Sequence, residues 1–399
     1  MTWPSGGAML SRKKILCAGA PIYGHTVPVL SLGLELFKAG NDVQMVSFND
    51  TTQELFGRYQ ICATPATLRP NDPVRNLLEV KKILETYRPD VTVCDWSRAL
   101  WLALQAWRPA CRVSILRCEL LYGYERRNPL LPAKFPFETV GLLDRVNDCL
   151  SQLGLDRLTD WRELCRAEII VVPSIPEIDP LPEGVRDHYP ESTFVYTGPL
   201  LLQIGSPTPA SLREWIASCR RRGAPVILVT LGTAWETKMY TALADCLDRT
   251  DFAAIMVVPD DRERQRLERR NGSRFQVVGL TDLSDLAERV DLVVHHCGHG
   301  TLHTVLLAGK PSLTLTSGQY DREDNALRLE DLDCGRHLGR DFLRNSLDAQ
   351  AFSAAVNSVL TDDAIKTGVS AMSRTVSEYV EKRGAAELGR ALSAQGTMQ

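Results

Sequence analysis

The chain has 399 residues, 44% hydrophobic and 24% charged, with a net charge of −3. That size suggests two domains or one large one of ordinary globular composition. There is no sustained basic stripe to attract nucleic acid, and no apolar run approaches the roughly 20 residues of a membrane span.

In chain order, residues 1–12 read as an unstructured lead. The basic Ser11-Arg12-Lys13-Lys14 precedes only a short apolar stretch, so no signal peptide is expected. The eleven cysteines are odd in number and form no CxxC pair, and several lie in strand-like runs, as Cys17 and Cys94 do. They read as reduced, buried thiols in a cytoplasmic enzyme.

From there apolar runs alternate with amphipathic segments. Strands are expected at KKILCAGA (13–20), DVQMVSF (42–48), VTVCD (91–95), RVSILRC (112–118), EIIVVPS (168–174) and FVYTGP (194–199), with helical patterns between them. The stretch 201–215, LLQIGSPTPASLREW, is rich in Gly, Pro and Ser and reads as a linker. The pattern then restarts with APVILVTLGT (224–233), FAAIMVVP (252–259), FQVVGL (275–280), DLVVHH (291–296) and PSLTLT (311–316). Near-continuous Val/Ile/Leu strands indicate parallel sheets covered on both faces. The expected organisation is two doubly wound α/β domains, 13–200 and 216–375, facing each other across a cleft. A helical tail, 376–399, is expected to pack back on the first domain. In such folds ligands bind at the carboxyl ends of strands.

One stretch concentrates chemistry. His295, His296, His299 and His303 fall within nine residues together with Cys297, although the chain has only seven histidines. A metal site is one reading, but His295 and His296 are strand neighbours whose side chains point to opposite faces. His299 and His303 could share a helical face, yet no HExxH glutamate accompanies them. An anion site is the second reading. Gly298 and Gly300 leave backbone N–H groups open, Thr301 offers a hydroxyl, a helix N-terminus follows, and His296 adds a donor. A tight turn with a histidine cap is the third. The local sequence leaves the anion and cap readings level.

The wider pattern resembles the family-1 glycosyltransferases of GT-B fold, including bacterial natural-product and antibiotic enzymes. The carriers are His296-Cys297-Gly298-His299-Gly300-Thr301, then Ala308-Gly309-Lys310-Pro311, then Asp321 to Ala326. In the first half they are Gly24-His25-Thr26-Val27-Pro28, the strand ending at Asp95, and FVYTGPL. The resemblance covers most of the chain and implies an inverting sugar transfer from a nucleotide diphosphate, with neither metal nor other cofactor. It implies His25 as general base and Asp95 as its orienting partner, although an Asp at a strand end is also a common helix cap. His296, Gly298, Gly300, Thr301 and Thr233 would hold the diphosphate, Asp321 and Arg322 the donor sugar, and Thr304 and Val278 the nucleoside.

Two departures stand out. Arg322 replaces the family's Gln, offering only donors and a charge. Thr304 stands where many relatives have a ribose-binding Glu, which favours a dTDP-sugar over a UDP-sugar. The acceptor is expected to be a small molecule, lined by the loop 119–141. Trp96, Trp101 and Trp107 are expected in the core. Expected partners are donor and acceptor alone, in a monomer or homodimer. The competing readings are a sugar-nucleotide epimerase of the same fold, which would leave the Gly-His-x-x-Pro loop unexplained, and a non-catalytic nucleotide-sugar-binding protein.

Overall fold

A computed structural model describes residues 12–69, 72–117, 142–232, 237–272, 274–316, 320–339 and 348–384, together with 388 and 392. The chain divides into two compact units: Met1–Leu202 with Tyr379–Gln399, and Gln203–Glu378.

The first unit is built on a seven-stranded sheet in the order β3-β2-β1-β4-β5-β6-β7. Its strands are β1 (Lys14–Gly19), β2 (Asp42–Ser47), β3 (Cys62–Pro65), β4 (Val91–Asp95), β5 (Cys111–Ile115), β6 (Ile169–Val172) and β7 (Thr193–Tyr196). Every pairing is parallel. Strands such as Ile169–Val172 are buried throughout because helices cover both faces, and their sequences are correspondingly apolar. The chain order reverses at β1, so the carboxyl ends of β1, β4 and β5 lie side by side. That is the switch point where a doubly wound sheet leaves room for a ligand.

The second unit repeats the scheme with six parallel strands in the order β10-β9-β8-β11-β12-β13. They are β8 (Val226–Thr230), β9 (Ala253–Val257), β10 (Phe275–Val278), β11 (Leu292–His295), β12 (Ser312–Thr314) and β13 (Gly335–His337). Here the switch point lies between β8 and β11. The short edge strand β13 was not foreseen, since Gly335-Arg336-His337 carries no apolar signal. It forms because Gly335 can lie against β12, where a Cβ would come within 2.1 Å of the Ser312 carbonyl oxygen.

The helix Asp363–Glu378 closes the second unit against the helix His299–Leu307. A short π-helix, Tyr379–Arg383, follows it and opens the segment grouped with the first unit. There Gly384 meets the backbone of Thr197, and Gly198 meets Tyr379. The ten described cysteines are free thiols, nine of them buried.

Gly335→Ala is expected to detach β13 from β12 and to cost about 1–3 kcal/mol, the usual range for forcing an extra group into packed structure. Urea unfolding of the variant should show this as a lowered midpoint. An unchanged midpoint would mean that the edge strand contributes nothing to stability.

Candidate functional site

In the first unit the switch point holds three polar side chains in one cluster. His25 lies in the first turn of the helix Tyr23–Lys38, whose N-cap residue Ile22 gives no side-chain cap. Gly19 ends β1 directly beneath; a Cβ there would stand 2.7 Å from the His25 carbonyl oxygen. That close approach sets the histidine over the strand ends. Asp95 ends β4 with no exposed side-chain surface. It is not a helix cap, because Ser97 caps the next helix by accepting from the Leu100 N–H. Instead its Oδ1 lies 2.7 Å from His25 Nδ1.

A third member escaped the sequence reading. Arg117, two residues past β5 and 6% exposed, donates from Nη2 to Asp95 Oδ2 at 2.8 Å and from Nη1 to Oδ1 at 3.1 Å. Nη2 also donates to the Gly24 carbonyl at 2.6 Å. An Arg at a strand end carries no signal by itself. Only the neighbourhood of β4 and β5 in the sheet could have exposed it. Burial pushes the Asp95 carboxyl up, but the charges of Arg117 and then His25 outweigh it and hold Asp95 below the ordinary carboxylate range. An ionised carboxylate only accepts hydrogen bonds. The His25 proton therefore sits on Nδ1, and the Nε2 lone pair remains available to take a proton from a ligand.

Trp101 is buried, and Trp96 and Trp107, both partly buried, pack against the same core, as expected. Trp96, however, adopts a left-handed backbone (φ +56°), an outlier for so bulky a residue. Its ring stacks on His25 with centroids 6.0 Å apart and planes 13° from parallel, and it meets Trp101 edge-on. The indole also lines a cavity of about 950 Å³ with Ile22, Phe48, Leu68, Leu102 and Val146; Asp72, Arg98, Arg145 and Asp148 add charge. A cavity of this size suits an apolar small molecule. The expected lining loop 119–141 lies outside the described residues.

In the second unit the histidine cluster separates into distinct roles. His295 Nδ1 accepts the Cys297 N–H at 3.1 Å, so its proton lies on Nε2, which faces Ser312 Oγ at 2.9 Å. Full burial lowers this imidazole to about 3, and it stays neutral. Cys297 takes a left-handed φ of +61°, and its carbonyl accepts from Asn325 Nδ2 at 3.1 Å. That bond ties the turn to the helix Tyr320–Asp331, which carries Asp321 and Arg322 in its first turn. Glu323 anchors the same helix: Thr316 Oγ1 donates to it at 2.5 Å, and His337 Nε2 lies 3.1 Å away.

His296 turns the other way, between two glycines. A Cβ on Gly232 would stand 2.6 Å from its ring, and one on Gly298 would stand 2.4 Å away. Gly232 also needs its positive φ of +73°, and Tyr240 holds its carbonyl at 2.9 Å. Burial, then the nearby positive charge of Arg322, lower His296 well below the ordinary histidine range, while a hydrogen bond to the Thr230 backbone opposes the shift. It therefore acts as a neutral dipole.

Gly298 is the N-cap of the helix His299–Leu307, without side-chain capping. The first-turn N–H groups, with Gly300 exposed and Thr301 half-buried, are of the kind that can receive an anion. His303 is buried and gives its Nδ1 proton to the His299 carbonyl at 2.9 Å. Thr304, expected at the nucleoside, is buried and turns its hydroxyl to the Gly300 carbonyl at 2.9 Å. Val278 ends β10, half-buried against the core. Thr233 lies outside the described residues.

Comparisons with known proteins agree with this architecture. Residues 243–382 match the profile of the family described as "Erythromycin biosynthesis protein CIII-like, C-terminal domain". Among solved structures the chain is similar to the glycotransferase of kitacinnamycin, at 18% identity and TM-score 0.71, covering 97% of this chain and 100% of that one. It is also similar to the spinosyn forosaminyltransferase SpnP (16%, TM-score 0.69, 96% and 99% covered) and to the calicheamicin glycosyltransferase CalG4 (19%, TM-score 0.70, 97% and 98% covered). No curated protein sequence matches the chain. The fold is GT-B, as the sequence led one to expect.

The buried, neutral His295 makes stability depend on pH. In the unfolded chain it binds a proton below about pH 6.5, whereas in the folded chain it does so only near pH 3. Its stability is therefore complete above pH 6.5 and falls as the pH drops, by about 2 kcal/mol at pH 5. Urea titrations at several pH values should show this slope, and His295→Asn should reduce it, leaving the part that His296 contributes in the same direction. An equal slope in the variant would reassign the effect to other groups.

Proposed function

We propose that this chain, a glycosyltransferase of GT-B fold similar to antibiotic-type enzymes, is an inverting, metal-independent catalyst. In this reading it moves a sugar from a nucleotide diphosphate to a hydroxyl or amine of a small, largely apolar natural product. The observation that carries the reading is the His25–Asp95 pair at 2.7 Å, set beside the Trp96-lined cavity. The acceptor would lie in that cavity and give its proton to His25 Nε2 as its oxygen or nitrogen attacks the anomeric carbon. The bond from that carbon to the diphosphate breaks, its electron pair leaves with the phosphate, and the configuration inverts. Asp95 would stabilise the imidazolium formed at that moment. Trp96 offers a flat apolar wall on the acceptor side.

The departing diphosphate would be held at the N-terminus of the helix His299–Leu307 by its backbone N–H groups, Thr301 and the His296 dipole. Arg322 lies close enough to His296 to bias its protonation, which supports a charge contribution near the diphosphate beside its expected role at the sugar. The titles of the similar structures name antibiotic-type glycosyltransferases, which supports a natural-product acceptor. For the donor, a dTDP-sugar is favoured and a UDP-sugar comes next. No carboxylate stands at position 304, and the Thr304 hydroxyl is bonded within its own helix, so this position gives a ribose hydroxyl little to bind.

His25→Ala is expected to lower transfer by about a hundredfold or more, the usual contribution of a general base, while leaving nucleotide binding within about twofold. Equal loss of both would refute the base assignment. Turnover should be unchanged by EDTA; a clear loss would return the His299–His303 region to consideration as a metal site. Calorimetry with dTDP, UDP and GDP, without added metal, tests the donor. The expected order places dTDP first, a UDP preference would redirect the search to glucose-type donors, and no binding to any of the three would favour a non-catalytic protein.

A further inference from the structure

We propose that Arg117 is a positioning residue for the acceptor-side base: it keeps Asp95 ionised and thereby fixes the His25 proton on Nδ1. This deepens the reading of His25 as general base and rests on it. Arg117 lies beyond the carboxyl end of β5, Asp95 at that of β4, and His25 above that of β1, three adjacent strands. The guanidinium grips both carboxylate oxygens, at 3.1 and 2.8 Å, and also binds the Gly24 carbonyl, one residue before the base. It therefore joins all three strand ends in one cluster.

The charge and hydrogen arithmetic assigns the role. Asp95 has no solvent contact, so without a cation its burial favours the neutral acid. A protonated Asp95 can donate as well as accept, and it would no longer require His25 to present Nδ1–H. The ring could then place its proton on Nε2, where a base must have a lone pair. With Arg117 in place, Nη1 and His25 Nδ1 both face the same oxygen, Asp95 Oδ1, at 3.1 and 2.7 Å, and lie 2.9 Å from each other. The shorter contact, Nδ1 to Oδ1, favours the ring proton on Nδ1 for as long as Asp95 stays an anion, which only accepts. Asp95 and Arg117 are charged groups in direct contact with His25. Tyr23 lies on the same helix, and burial holds the neighbouring thiols Cys17 and Cys94 protonated.

The test is nuclear magnetic resonance of the full chain labelled with 15N-histidine, with His25→Asn used to assign the ring. Spectra are recorded from about pH 6 to about pH 9, and in the wild type the neutral ring is expected to carry its proton on Nδ1 throughout. Arg117→Met should shift the ring toward the Nε2–H form at the acid end of that range, and Arg117→Lys should restore Nδ1–H. Should Arg117→Met fail to fold, Arg117→Gln keeps a donor without the charge and is read in the same way. Persistence of the Nδ1–H form across the range in either neutral variant would overturn the proposal. In transfer assays with dTDP-glucose and a panel of apolar aglycones, Arg117→Met should lose about tenfold or more in kcat near pH 6. That loss should shrink as the pH rises, with KM for the donor unchanged; a loss equal at every pH would assign Arg117 a purely structural role. If the wild type transfers no sugar, the enzymatic reading fails while the tautomer experiment still decides the role of Arg117.

Discussion

The side chain of Asp95 has no contact with solvent, and a carboxylate removed from water stays ionised only where cations and N–H donors replace its lost hydration. Arg117 and His25 supply that replacement from two other chain segments. The first unit is arranged around this requirement. The sheet order brings β1, β4 and β5 together, Gly19 leaves room for the His25 turn, and Trp96 strains its backbone to cover the imidazole. A charge cluster of this kind adds little net stability. Its value lies in fixing where a proton sits.

The second unit would meet the opposite demand, to receive negative charge rather than to bury it. At the β11 turn it offers neutral dipoles, namely the first turn of a helix without side-chain capping, the backbone at Gly298 and Gly300, and an imidazole kept uncharged by burial, with the Arg322 charge nearby. The turn that aims them includes a left-handed, non-glycine residue, Cys297. The His295 ring and the Asn325 amide each hold that residue in place by a hydrogen bond. His295, one of the clustered histidines, is thus occupied in supporting a turn. The two switch points share one topology.

Much of this could be read along the chain. The Gly-His-x-x-Pro loop placed His25 at a helix start, and the apolar strand before Asp95 placed that residue at a strand end. The spacing of His296, Gly298 and Thr301 foretold a strand, a turn and a helix N-terminus. Other features were hidden for physical reasons. Trp96 sits at the edge of an apolar, helix-like pattern, and its left-handed backbone has no sequence mark when the residue is not glycine. Thr304 was expected at the nucleoside, yet within its helix the hydroxyl bonds the Gly300 carbonyl.

By itself, the sequence determined the alternation of strands and helices, hence two parallel sheets, because the period and length of apolar runs are local properties. It also determined which strand ends carry reactive groups. Only the tertiary structure decided which ends are neighbours. The order β1-β4-β5 brings Arg117 within 3.1 Å of a carboxylate 22 residues earlier in the chain. The same folding set the direction in which each histidine of the cluster points. Protonation states follow from burial and partners, and both are properties of the folded neighbourhood that no local spacing encodes.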